Sequence, residues 1–153
     1  MSRSNSVSYL LGPRASTSSA PYSSGLGAYP RASQLRLWLD HPYFQDIWPN
    51  DGLMIHRLPF VVGRKPDEEG APRSHVDLLL PDKRPYQLSR VHFCVLNYDG
   101  SLAVMDTNSQ LGTFVNGVGI GRGTGRNHAF LSSGENRITL GSNSRFVFTL
   151  KAI

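Results

Sequence analysis

Two kinds of chemistry fit the short stretch LSRVHF at residues 88–93. Ser89 and His92 lie three residues apart in it, and Asp106 follows farther along the chain. A serine, a histidine and an aspartate are the three residue types of a hydrolase triad. The serine hydroxyl and the guanidinium of Arg90 are also donors that suit an anion. The residue types alone leave both chemistries open.

The pattern around Ser89 disfavours the hydrolase. Nothing there resembles the strained turn that presents a hydrolase serine, and positions i and i+3 of a strand point to opposite faces. A metal centre is disfavoured as well, because the five histidines are scattered singly, without ligand spacing. We therefore predict no enzymatic activity, no metal and no cofactor, and we keep a small serine hydrolase only as a remote alternative.

An arginine at the end of an apolar strand gives a stronger signal. The apolar residues 60–62 are followed by Gly63 and Arg64, so the guanidinium is expected in a loop at the rim of a sheet. Arginine suits phosphate because its planar fork can donate two parallel charge-assisted hydrogen bonds. Ser89 would add a hydroxyl donor, and the glycine would let the backbone come close. Each element alone is ordinary, but their order along the chain predicts an anion site.

The elements that position these residues are predicted to be strands. Leu35, Leu37 and Leu39 alternate with Arg36 and Trp38, which is the period-two pattern of a half-buried strand. Further predicted strands are 53–58, 60–63, 76–80, 91–97, 102–106, 113–116, 129–131, 136–140 and 146–150. Turn residues such as Asn116-Gly117 separate them, and no segment shows a sustained 3.6-residue apolar period. Many short strands between turns predict an all-β sandwich or barrel.

The chain divides into two parts of different composition. Residues 1–33 contain ten serines and few clustered apolar residues, so we predict a disordered Ser-rich tail there and a folded domain at 34–153. The tail carries three of the five net positive charges. The remainder is close to neutral, so no nucleic-acid partner is expected.

Length and composition set the remaining bounds. A chain of 153 residues holds one ordinary domain, and its single cysteine, Cys94, fits a reducing compartment. No apolar run approaches the roughly 20 residues that span a bilayer, so no membrane insertion is expected. We expect a soluble intracellular protein, cytoplasmic or alternatively nuclear.

Five blocks of the sequence resemble a forkhead-associated (FHA) domain. They are FVVGR at 60–64, VDLLLP at 76–81, LSRVHF at 88–93, DTNSQLGTFVNG at 106–117 and GENRITLG at 134–141. Together they cover about residues 34–153 in the order that the family has. The resemblance implies a sandwich of about eleven strands whose loops at one end bind phosphothreonine peptides, without enzymatic activity.

The resemblance also implies roles for individual residues. Arg64 and Ser89 match the residues that hold the phosphate, and Arg90 matches a position that contacts phosphate or peptide backbone. His92 matches the histidine that braces the binding loops. Structural support of the site is expected from Gly63, Gly112, Thr113, Asn116 and Gly117, with Asn116-Gly117 as a hairpin turn.

The peptide flank departs from the family pattern. Leucine stands at position 111, where the family often has an asparagine that bonds the peptide main chain. Either Gln110 replaces the lost amide, or Leu111 offers apolar contact instead. Gln87 lies two residues before Ser89, where the family tunes selectivity, and its neutral amide argues against a strict acidic preference.

Three functions follow, in order of preference. The first is a phosphothreonine-reading adaptor in kinase-dependent signalling, whose partners are phosphothreonine proteins and an upstream Ser/Thr kinase. The second is an FHA-like scaffold that binds through its sheet faces without phosphate, and the third is the hydrolase. Thr17, three residues after Arg14, is a possible regulatory phosphosite that could fold back onto the pocket. The glycine-rich stretch 119–126 is interpreted as a basic turn, because no strand and helix flank it as a nucleotide loop requires.

Overall fold

The described residues form an all-β fold of eleven strands. The computed structural model describes residues 10–12, 35–68 and 75–152. The strands are β1 (Leu35–Asp40), β2 (Leu53–Ile55), β3 (Phe60–Arg64), β4 (Leu78–Leu80), β5 (Phe93–Tyr98), β6 (Ser101–Asp106), β7 (Thr113–Val115), β8 (Val118–Ile120), β9 (His128–Phe130), β10 (Glu135–Thr139) and β11 (Val147–Ala152). The predicted fold class is confirmed.

Two sheets make up the sandwich. One sheet has the order β2-β1-β11-β10-β7-β8, and the other has the order β4-β3-β5-β6-β9. All neighbours are antiparallel except β3 and β4, which run parallel and pair Arg64 with Leu80. Strands β8 and β9 therefore lie at the edges of their respective sheets.

The alternating pattern of the strands explains how the sheets pack. In β1 the leucines at 35, 37 and 39 are buried, whereas Arg36 and Trp38 are half-buried. β4 is buried throughout, as its unbroken LLL sequence predicts. Phe93 of β5 meets Phe148 of β11 edge-to-face, with ring centroids 5.3 Å apart, and this contact joins the two sheets in the core.

The strand directions bring four loops to the same end of the sandwich. β3 ends at Arg64 beside the start of β5, and β6 ends at Asp106 beside the start of β9. In the other sheet, β10 ends and β11 begins at this same end. The loops β4–β5, β6–β7, β8–β9 and β10–β11 are therefore neighbours, and we call this the loop end.

The sequence predicted ten of the eleven strands and missed β8. Val118–Ile120 continues from the Asn116-Gly117 turn and pairs with β7, Val115 opposite Val118 and Thr113 opposite Ile120. Gly119 hides the strand because glycine is depleted in strands. β2 and β4 are also shorter than predicted, at Leu53–Ile55 and Leu78–Leu80.

Three residues of the tail that we predicted to be disordered have a place on the fold. Leu10 is fully buried in the core, and Leu11 forms an antiparallel bridge with Leu78. The Gly12 amide donates to the carbonyl of Asp77. The chain at 10–12 therefore adds to the outer edge of β4.

The described ranges contain neither a membrane-spanning helix nor a cluster of metal-ligating side chains. No helix among them is long and apolar enough to cross a membrane. In the same ranges, no three His, Cys, Asp or Glu side chains come together as a metal site. Cys94, the single cysteine of the chain, is buried in β5.

Candidate functional site

Arg64 is held at the end of β3 with part of its guanidinium unused. Its backbone amide donates to the Ser89 carbonyl at 2.9 Å, and its Nε donates to the Leu88 carbonyl at 3.0 Å. The guanidinium carbon lies 3.9 Å from the centroid of the Tyr86 ring, a cation–π contact. Among the described residues, its terminal NH groups have no hydrogen-bond partner. They are therefore available to a ligand.

Two further hydrogen bonds fix Ser89 and leave its hydroxyl proton free. Its backbone amide donates to His92 Nδ1 at 3.0 Å. Its Oγ accepts from the Gln110 amide at 3.0 Å. Because Oγ is the acceptor in that bond, the hydroxyl can still donate to an anion.

His92 braces two loops from inside the sandwich. The ring is fully buried, and since Nδ1 accepts from Ser89, the proton of the neutral ring is on Nε2. Nε2 donates to the Gly112 carbonyl at 2.9 Å, which ties the β4–β5 loop to the β6–β7 loop. Burial lowers the pKa of His92, and the Gly112 carbonyl and the Asp106 charge only partly oppose this. The ring is therefore neutral in the folded protein at neutral pH.

Asp106 organises the β6–β7 loop. Its carboxylate accepts from the Ser109 amide at 3.0 Å, the Ser109 hydroxyl at 2.5 Å and the Thr113 hydroxyl at 2.6 Å. Ser109 Oγ in turn accepts from the Gly112 amide at 3.0 Å. All three residues are buried, so these bonds fix the loop that carries Gln110.

The hydrogen bonds of Ser89, His92 and Asp106 do not form a catalytic relay. His92 meets the backbone amide of Ser89, whereas a triad needs the imidazole at the serine Oγ. The second ring nitrogen of His92 meets a backbone carbonyl, and the Asp106 carboxylate meets Ser109 and Thr113. The contacts of all three residues are those of a braced loop.

Gly63 allows β3 to lie close against the β4–β5 loop. A Cβ atom at Gly63 would come within 1.9 Å of the Arg90 carbonyl oxygen.

The Arg90 side chain is exposed beside Ser89 and has no ion pair among the described residues. It adds a third donor group to the same end of the sandwich.

Comparison with known proteins identifies the fold family. The family model described as "FHA domain" matches residues 60–148, which is more than half of the chain. The chain belongs to the FHA family. A comparison with curated proteins found no match.

Solved structures with the same fold support this assignment. Full-length yeast Pml1p is 25% identical, covers 86% of this chain and 91% of its own, and gives a TM-score of 0.57. The FHA domain of CT664 from Chlamydia trachomatis is 22% identical, covers 78% and 97%, and gives a TM-score of 0.50. The structure named Rv0020c FHA is 21% identical, covers 81% and 97%, and also gives a TM-score of 0.50. The resemblance inferred from the sequence is confirmed.

The predicted flank residues of this FHA domain occupy different positions. Gln87 is committed at both ends of its amide: Oε1 accepts from the Arg145 backbone at 2.7 Å, and Nε2 donates to the Asn143 carbonyl at 2.7 Å. Gln110 is exposed next to Ser89, to which it donates through its backbone. Leu111 is 47% exposed and lies beside Gly141. Gln110 and Leu111 are thus the flank residues that face solvent at the loop end.

Two predicted supports lie away from Arg64 and Ser89, and one predicted site falls outside the described residues. Asn116 and Gly117 form the β7–β8 hairpin turn, with φ of 52° and 84°, at the end of the sandwich opposite Arg64. Asn116 Nδ2 donates to Asn136 Oδ1 at 2.9 Å, which anchors the turn. Thr17 lies outside the described residues.

Sequence reasoning missed two residues that shape the site. Tyr86 carries the Arg64 guanidinium on its ring, and its hydroxyl donates to Asp67. Asp82 accepts from the Gln87 amide at 2.8 Å, the Leu88 amide at 3.1 Å and the Arg145 guanidinium at 2.9 Å. No periodicity marks either residue. The one available signal was an aspartate a few residues before Pro85, because aspartate side chains often accept from backbone amides in such loops.

Proposed function

We propose that this FHA domain binds phosphothreonine peptides and acts as a non-enzymatic adaptor in kinase-dependent signalling. The observation that carries the proposal is the pairing of Arg64 and Ser89. Their backbones are hydrogen-bonded to one another, and each has a donor that no described residue uses. Arg90 supplies a further cation at the same end.

The donors match the chemistry of a phosphothreonine. Its phosphate brings about 1.5 to 2 negative charges and three strong acceptor oxygens. A hydrogen bond to a charged group contributes about 1.5–3 kcal/mol, net. Three such bonds approach the roughly 8 kcal/mol of a micromolar complex. An unphosphorylated threonine forfeits nearly all of them, so binding depends on prior action of a Ser/Thr kinase.

The donors are also positioned before any ligand arrives. Tyr86 and the Leu88 carbonyl orient the Arg64 guanidinium, while the Gln110 amide fixes the Ser89 hydroxyl. A ligand that meets ordered side chains loses less affinity to their immobilisation. The buried bonds of His92 and Asp106 hold the two loops in this arrangement.

The experiment is capture from a degenerate phosphothreonine peptide library, compared with the unphosphorylated library. The wild-type domain is tested beside Arg64→Ala and the charge-matched control Arg137→Ala. Arg137 is exposed on β10, on the outer side of the other sheet. Wild type and Arg137→Ala should capture phosphothreonine peptides, whereas Arg64→Ala should lose capture and still unfold cooperatively.

Other outcomes identify the alternatives. If wild type captures no phosphothreonine peptide, the proposal is wrong and the sheet-face scaffold takes its place. Exposed Leu111, at a position where an amide was expected, is the feature consistent with that scaffold. Ester turnover that disappears in Ser89→Ala would instead show a hydrolase.

A further inference from the structure

A second cationic feature lies at the loop end, where Arg64 and Ser89 also lie. The β8–β9 loop at 121–127 borders a cavity of about 700 Å³, whose lining includes Arg122, Arg126, Asn108 and His128. Both arginines are exposed, and their side chains have no ion pair or hydrogen bond to any residue of the described ranges. The cavity therefore presents two uncommitted guanidinium groups.

The loop that carries the arginines has a defined shape. The Gly121 amide donates to the Arg126 carbonyl at 2.7 Å, which closes the turn. Thr124 Oγ1 lies 2.8 Å from the carbonyl oxygens of both residues. Gly121, Gly123 and Gly125 have φ of 99°, 80° and 78°, a region that favours glycine. Arg122 and Arg126 are thus displayed together on one closed turn.

Asp106, the acid that lines the cavity, forms no ion pair with either arginine. Asp106 lines the cavity, but its carboxylate already accepts from Ser109 and Thr113. It also lies against Gly121, where a Cβ would come within 2.6 Å of Oδ2. One carboxylate against two guanidinium groups leaves the lining with a net positive charge.

The β6–β7 loop links the cavity to Ser89 over a short stretch of chain. Gln110 donates to Ser89 Oγ, and Asn108, two residues earlier, lines the cavity. Two residues span at most about 7 Å of chain. An extended peptide advances about 3.4 Å per residue, so a ligand crossing the β6–β7 loop reaches the arginines within about two to four residues.

On the opposite flank, Gln87 and Arg145 are already engaged in contacts within the protein. There, the Gln87 amide is tied at both ends to the β10–β11 loop. Arg145 on that flank is paired with Asp82 at 2.9 Å. The free cations of the β8–β9 loop are thus better placed to select for charge than the residue at position 87.

We propose that Arg122 and Arg126 bind a second anionic group on the phosphothreonine peptide. The group is a carboxylate or a second phosphate. It belongs to the part of the peptide that crosses the β6–β7 loop, on one side of the phosphothreonine. This inference rests on the proposed function. It names the ligand class as phosphothreonine peptides with an acidic group about two to four residues to one side.

The test begins with the residues that the wild-type domain selects from a phosphothreonine library with degenerate flanks. Wild type should enrich Asp and Glu on one side only. The double variant Arg122→Gln/Arg126→Gln should lose that enrichment and keep its requirement for phosphothreonine. Arg137→Gln, which removes an exposed charge outside the cavity, should select as wild type does.

Three synthetic peptides then measure the effect and separate the two anion sources. They share one phosphothreonine and carry Ala, Glu or phosphoserine at the enriched position. Glu or phosphoserine should tighten binding to wild type about threefold to tenfold over Ala, and high salt should reduce the gain. The double variant should bind all three equally. Each single variant is measured too, with its melting temperature, so that a folding defect in the double variant cannot conceal the result.

Each remaining outcome overturns the inference. Equal binding of the three peptides by wild type shows that the arginines take no anion from the peptide, although the proposed function stands. Wild type that binds none of them contradicts the proposed function and this inference with it. If a single-stranded oligonucleotide binds wild type but not the double variant, and no acidic residue is enriched, the arginines contact nucleic acid instead.

Discussion

Ser89 uses its backbone and its side chain for different purposes. The amide donates to buried His92, and the hydroxyl accepts from Gln110. The first bond ties the residue to the core, and the second orients the oxygen toward the loop end. A phosphate therefore meets a donor whose position does not depend on the ligand.

His92 gives the folded protein a pH dependence of known sign. Burial lowers its pKa below the ordinary 6.5, so the unfolded chain takes up this proton at a higher pH than the folded chain. The stability that His92 contributes is complete above pH 6.5 and is lost as the pH falls from 6.5 through the folded pKa. We expect the free energy of unfolding, measured with denaturant, to be lower at about pH 5.5 than at about pH 7.5.

Two histidine variants assign this effect. Burial and Arg145 also lower the pKa of His41, so His41→Gln removes the other histidine with a lowered value. The fall in stability should persist in His41→Gln and shrink in His92→Gln. A fall of equal size in wild type and His92→Gln would show that His92 is not its source.

For single residues, the sequence predicted the hydrogen-bond donors of the site better than the side chains that hold those donors in place. The blocks around Arg64 and Ser89 indicated two donors for one anion, and the two residues are neighbours in the structure. Tyr86 was not predicted as the support of Arg64, because that contact depends on how a loop 22 residues away folds back over β3. Asp106 was recognised as notable but for a different chemistry, since spacing does not show which groups a carboxylate accepts from.

Strand β3 and the β4–β5 loop are in contact because position 63 has no side chain. A Cβ there would lie 1.9 Å from the Arg90 carbonyl oxygen, a backbone atom that cannot move alone. We expect Gly63→Ala to lower the free energy of unfolding by about 1–3 kcal/mol and to weaken phosphopeptide binding by displacing Ser89. Denaturant unfolding and peptide titration measure the two effects.

Gly119→Ala is the matched control. Its Cβ would lie 3.4 Å from the Phe114 ring, an ordinary contact, and its strand β8 tolerates a side chain. Gly119→Ala should therefore stay close to wild type. If the two variants lose the same stability, the close approach at position 63 is not what makes glycine necessary there.

Strand β8 was missed because its composition does not indicate a strand. The Asn116-Gly117 turn signalled a hairpin, but Gly119 in the following residues masked the second strand. Pairing with β7 stabilises Val118–Ile120 in spite of its composition. Local propensity is a weak guide where a neighbouring strand supplies the hydrogen bonds.

The whole molecule includes a piece of the N-terminal segment. Composition divided the chain at residue 34, yet Leu10 is buried in the core and Leu11 pairs with Leu78 of β4. Two apolar residues in a Ser-rich run give no periodic signal, so only the assembled edge of β4 shows where they belong. The all-β class of the fold was predictable from the alternating strand pattern.

Leu10 should therefore stabilise the domain. Leu10→Ala removes a fully buried side chain, and we expect a loss of about 2–5 kcal/mol in the free energy of unfolding. Leu111→Ala makes the same change at a side chain that is 47% exposed and should cost little. Denaturant unfolding of both variants compares them, and a Leu10→Ala variant as stable as Leu111→Ala would place Leu10 outside the core.

The proposed recognition of phosphothreonine depends on one phosphate lying between Arg64 and Ser89. Its most direct test is isothermal titration of one library-selected phosphothreonine peptide and its unphosphorylated copy against wild type and Arg64→Ala. We predict a dissociation constant of about 1–100 μM for the phosphopeptide with wild type, and binding at least about 100-fold weaker in the other three combinations. Equal affinity for the phosphorylated and unphosphorylated peptides, or undiminished binding by Arg64→Ala, would contradict it.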